Sequence, residues 1–139
     1  MRTIALLSAC GLLAACVSSH PINPQLAPAS LSFAGATMER IAVANFDFTP
    51  HEIHLRAGRP YELVLANTAS GGHDFAAPEF FAAARIKPGD APLVADGKVD
   101  LPGMATRTVH LVPAAGAYKL VCTHTGHALL GMTGQIVVD

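Results

Sequence analysis

The sequence predicts an all-β chain folded as a Greek-key sandwich, and three observations carry the prediction. Short runs alternate apolar and polar residues, as half-buried strands do. Turn residues separate these runs at intervals of about ten residues, a spacing typical of sandwiches and barrels. No segment combines a helical period with start and stop signals. With 139 residues, 51% of them hydrophobic, the chain suits one domain around one core.

The first element lies outside that domain. In "MRTIALLSACGLLAAC" one Arg precedes an unbroken apolar and small run from Ile4 to Ala15, which reads as a secretory signal peptide over residues 1–15. A membrane span needs about 20 apolar residues, more than this run supplies. Its end, Leu13 to Cys16, looks like a bacterial lipoprotein signal, with Cys16 as the lipidated residue. Cys10 ends a similar short pattern but has too little apolar sequence before it. The expected location is the periplasm or cell envelope, with membrane contact only through that anchor. Residues 16–38, rich in Pro, Ser and Ala, read as a flexible tether. The domain is expected over 39–139.

Within the domain the alternation can be followed strand by strand. "RIAVANFDF" (Arg40 to Phe48) and "EIHLRAG" come first. "RPYELVLANT" then sets Tyr61, Leu63 and Leu65 against Glu62 and Val64. The segment 78–103 breaks the pattern: "PEFFAAARI" suits one or two helical turns, and the Pro and Gly beyond it make an irregular excursion. "RTVHLVP" places Val109 and Leu111 on one face, leaving Thr108 and His110 to solvent. "GAYKLVC" points Tyr118, Leu120 and Cys122 one way, and "MTGQIVVD" aligns Met132 with Ile136 and Val138. Both sulfurs therefore face inward.

Charge names no partner, because a net charge of −1 with 14% charged residues offers no basic stripe for nucleic acid. The cysteines say more. Once Cys10 leaves with the leader and Cys16 carries lipid, Cys122 has no disulfide partner, and a lone thiol in an oxidising compartment needs a use or a shelter. Its neighbours suggest a use. "CTHTGHALLGM" spans Cys122 to Met132, and as a loop closing a hairpin it can aim Cys122, His127 and Met132 at one point. Thiolate, imidazole and thioether together select copper, whereas structural zinc prefers four Cys or His ligands, often paired as C-x2-C. A planar two-His, one-Cys copper site with a long axial Met would need one more His from elsewhere in the chain.

Two motifs resemble the cupredoxins, the blue copper proteins. "YKLVCTHTGHALLGMTGQIVV" is similar to their C-terminal copper loop, and "FDFTPHEIHLRAGRPYELVLANTASGGHDF" to the earlier half that delivers the first His. The resemblance covers Ile41 to Asp139. It implies one copper ion held by His73, Cys122, His127 and Met132, with Gly131 and Gly134 flanking the axial residue. It also implies supporting roles for Asn67, which ends a strand, and for Asp74, which would tie the two ligand loops together. Thr125 stands where the family often has Pro, and Asp74 where it commonly has Asn. His124 matches no ligand position. Met104 reads as a packing or loop residue, and His51 and His54, three apart on a strand, face opposite sides.

The implied function is one-electron transfer with a redox partner protein, and the alternative is a periplasmic copper carrier serving a copper-transfer partner. An enzyme is not expected: a thiol nucleophile needs an exposed, activated thiolate. Multicopper oxidases need further His pairs and domains that this sequence lacks.

Overall fold

The computed structural model describes residues 18–139, so the leader and Cys16 lie outside the described residues. The alternating runs become strands of two sheets. The first holds β1 (Gln25–Leu26), β2 (Thr37–Ala44), β3 (Asp47–Thr49), β5 (Tyr61–Asn67), β7 (Arg85–Ile86) and β9 (Thr106–Val112). The second holds β4 (Glu52–Leu55), β6 (His73–Ala76), β8 (Lys98–Leu101), β10 (Gly116–Val121) and β11 (Thr133–Val138). Strand order is β1-β7-β9-β5-β2-β3 in the first and β4-β11-β10-β6-β8 in the second. The pairing is mixed: β1 with β7, β2 with β5 and β4 with β11 run parallel, and the other pairs antiparallel.

Parity behaves as the alternation requires. Tyr61, Leu63 and Leu65 are buried beside Ile41 and Val43 of the parallel neighbour, and Leu120, Ile136 and Val138 are buried in the facing sheet. Phe75 joins the layers, its ring centroid 5.9 Å from Phe48 and 6.0 Å from Phe81. The excursion 78–103 resolves into α1 (Pro78–Ala83), a 3-10 helix over Pro88–Val94, and β7 and β8. Proline suits the first turn of α1, where its missing N–H breaks no bond. The helix is short because Ala84 is already extended, and Phe80 and Phe81 bury its inner face.

Three expectations change. The stretch 40–48 is two strands, joined by a two-residue turn between Ala44 and Asp47 in which Phe46 takes φ 63°. A tight hairpin demands positive φ, and here an aromatic residue supplies it. The tether expected over 16–38 is laid against the domain from Ser18 onward. Ile22 N–H donates to Ala95 O, β1 adds a strand beside β7, and Ala27 is buried with its N–H on Ile86 O. Apolar Ile22 and Ala27 dock there because the edge of β7 offers unpaired backbone groups. Finally, His110 is half-buried: Nδ1 lies 2.8 Å from Asp90 Oδ2 and the ring meets Phe33 edge-on at 5.7 Å.

Candidate metal centre

Every candidate ligand sits at one end of the second sheet, on or beside three adjacent strands. His73 opens β6 and shares its inward face with Phe75. The loop that delivers it is shaped by Asn67, the last residue of β5 and almost fully buried. The Asn67 amide nitrogen faces the carbonyls of Gly71, Leu101 and Pro102 at 2.8–3.0 Å, and its oxygen accepts Ala69 N–H. These bonds satisfy the turn and fix where β6 begins.

Cys122 follows β10 and Met132 precedes β11. The loop between them is closed by backbone bonds: Cys122 N–H donates to Met132 O, Met132 N–H to His127 O, and His127 N–H to His124 O. Gly126 and Gly131 take φ 81° and 98°, so the chain reverses immediately before His127 and again before Met132. Cys122 and Met132 are fully buried, and His127 is half-buried.

His73, Cys122 and His127 converge, with their ligand atoms within 4.8 Å of one another. Cys122 Sγ lies 3.5 Å from His127 Nδ1 and 3.9 Å from His73 Nδ1. Metal–nitrogen and metal–sulfur bonds of about 2.0 and 2.3 Å meeting in a trigonal plane would set N and S about 3.7 Å apart. The donors therefore already have the spacing of a shared ion. Two imidazoles and a thiolate fit copper in character as well as distance. His73 Nε2 is buried without a hydrogen-bond partner among the described residues.

The surroundings bias each ligand toward its metal-binding form or against it. Burial pushes the Cys122 thiol up from its ordinary value, so without a metal it holds its proton. Burial chiefly, and then the neighbouring imidazoles of His127 and His124, push His73 down, with Asp74 opposing. His73 is thus kept neutral and able to donate a lone pair.

Asp74 is buried beside His73, and one carboxylate oxygen accepts Thr123 N–H at 2.7 Å. The other accepts the Thr123 hydroxyl and lies 3.4 Å from Lys98 Nζ. Asp74 thereby ties the residue after one ligand to the residue after another. His124 is exposed on the rim, its ring centroid 5.4 Å from that of His127 and 6.3 Å from that of His73. His51 and His54 are exposed at separate positions, and His54 Nε2 meets Glu52 Oε1. Two neighbours of the site carried no sequence signal. Phe46 sets its ring edge-on to His127 at 5.2 Å, and Lys98 reaches Asp74 from β8.

Sandwich and donor set together define a mononuclear copper protein of the cupredoxin type. Among solved structures, auracyanin B superposes with a TM-score of 0.58 at 20% identity, covering 88% of this chain and 99% of that one. Auracyanin A of Chloroflexus aurantiacus, described as a "blue" copper protein, gives 0.53 at 22% identity, covering 76% and 100%. These likenesses establish the fold. No protein-family model matches the sequence. Over 130 residues the chain is 33% identical to rusticyanin of Acidithiobacillus ferrooxidans, covering 78% of this chain and 81% of the relative. Rusticyanin of Acidithiobacillus ferridurans is 32% identical, with 78% and 67% covered. The chain belongs to the cupredoxins, the blue copper proteins, and its cofactor is a single copper ion.

Proposed function

We propose that the protein is an exported one-electron carrier, working through a type 1 copper site held by His73, Cys122 and His127 with Met132 as the axial ligand. The observation that carries this reading is the placement of Cys122 Sγ 3.5 and 3.9 Å from two imidazole nitrogens in a buried setting. The bound ion would supply a Cu(I)/Cu(II) couple. Burial of His73, Cys122 and Met132 favours a metal retained through many cycles over one handed to a copper-transfer partner. The backbone bonds that close the ligand loop favour donors that stay in place as charge changes.

Electrons would enter and leave at His127. It is the ligand nearest solvent, and Phe46, Leu129 and Leu130 surround that part of the surface with exposed apolar area. Leu129 is 93% exposed, which suits brief contact with a redox partner protein better than a stable interface. The leader-like residues 1–15 support export to the periplasm, and Cys16 supports a lipid anchor as the link to a membrane. No helix among the described residues is long and apolar enough to span one. The protein acts in this reading as a carrier and not as an enzyme.

Copper-loaded protein should show an intense visible thiolate-to-Cu(II) absorption, one copper per chain by metal analysis, and reversible voltammetry. Cys122→Ser should abolish the absorption. A colourless wild-type protein with bound copper would overturn the proposal.

A further inference from the structure

The antiparallel register of β6 and β8 sets Asp74 directly opposite Asp100 and Ala76 opposite Lys98. These four residues share the outer face of the pair, while His73, Phe75, Val99 and Leu101 share the inner one. Two carboxylates facing each other across a ladder repel, and one of these is fully buried. Lys98, two residues before Asp100 on β8 and diagonal to Asp74, relieves the repulsion: Nζ lies 2.8 Å from Asp100 Oδ1 and 3.4 Å from Asp74 Oδ2. Its side chain is only 22% exposed, so water and salt screen it weakly.

We propose that Lys98 is a positioning residue of the metal centre, whose charge balances Asp74 and thereby holds the copper reduction potential up. The inference rests on the blue copper reading above. Asp74 touches both ligand loops, through its chain link to His73 and its bonds to Thr123, the residue after Cys122. A negative charge there stabilises the more positive Cu(II) over Cu(I), and a cation beside it cancels part of that field. Removing the cation must therefore favour the oxidised ion and lower the potential. Lys98 is kept protonated by its bond to Asp100 first and by Asp74 besides, both outweighing its partial burial. The bland alternative is a strand-edge lysine that only aids folding, and such a residue would leave the potential alone.

The test uses copper-loaded full-length protein and reads the midpoint potential by voltammetry alongside the visible band. Lys98→Met should shift the one-electron equilibrium toward Cu(II) by about tenfold, or about 59 mV. Lys98→Arg, which keeps the charge, should stay near wild type, and Lys98→Gln serves if the Met variant folds poorly. In an Asp74→Asn background the effect of Lys98→Met should shrink, because the charge it balances is gone. An unchanged potential in Lys98→Met, an equal drop in Lys98→Arg, or equal drops in both backgrounds would each overturn the proposal. Absence of the band in wild type would instead refute the copper reading, and this inference with it.

Discussion

His124 and His127 lie three apart on one loop, yet only His127 turns its Nδ1 to Cys122. The difference is made by the backbone. His127 follows Gly126 at φ 81° and lends its carbonyl to Met132 N–H, which folds its side chain under the loop, whereas His124 stays on the rim. We therefore expect His124→Ala to keep the visible band, and His127→Ala to alter or abolish it, as an absorption spectrum would record. At this scale the approach of His127 to Cys122 was legible, because their spacing is a property of one short segment. Asn67 and Asp74 were legible only as family positions. Phe46 and Lys98 were not legible at all, since Phe46 meets His127, and Lys98 meets Asp74, from far away in sequence. The contact of Lys98 with Asp74 is made by strand register, and register is invisible until the sheets are paired.

Among the elements, the strands followed from their alternation and the N-terminal strap did not. Residues 18–36 contain prolines and no period, the composition of a linker, yet two or three apolar side chains suffice to seat them. Ile22 packs against the core and Ala27 is buried where β1 covers the edge of β7. An Ala27→Asp substitution would put a carboxylate into that contact. It should lower stability by about 2 kcal/mol, seen as a lower urea midpoint, while leaving the visible band of the folded fraction in place. Were residues 18–36 a free tether, the midpoint would not move. The mixture of parallel and antiparallel pairing was not legible for a related reason. Strand direction depends on which segments meet after the long connections, and alternation within a strand carries no record of it.

For the whole molecule, the two perturbed ligands set a pH window for the metal-free protein. His73 has its pKa lowered on folding, so between the folded value and the ordinary 6.5 the unfolded chain binds more protons. Its contribution is present above about 6.5 and is lost as pH falls. Cys122 is raised from 9.0, so its contribution is present below that value and is lost as pH climbs beyond it. Urea denaturation of copper-free protein should accordingly show its highest midpoints between the two values and lower ones on either side. Copper takes the deprotonated form of both groups, so loading should release protons and tighten as pH rises through the same window. A stability profile that stayed flat below 6.5 and above 9.0 as well as between them would contradict the burial argument for both residues. Fold class and the inward faces of β5, β9, β10 and β11 were thus readable in advance, whereas the electrostatic setting of the ligands required the finished packing.

The pairing of β6 with β10 consists of a single registered couple, Ala76 with Val121, against six between β10 and β11. The site therefore joins two parts of the chain that differ in how far apart they lie in sequence. Cys122, His127 and Met132 belong to one hairpin, while His73 comes from 49 residues upstream across the thinnest seam in its sheet. The clamp from Asp74 to Thr123 crosses that seam, and an ion held by His73 and Cys122 would cross it too. Copper held by His73 and Cys122 would in this sense be a stitch across the mouth of the sandwich, reinforcing the pairing where the backbone supplies least of it.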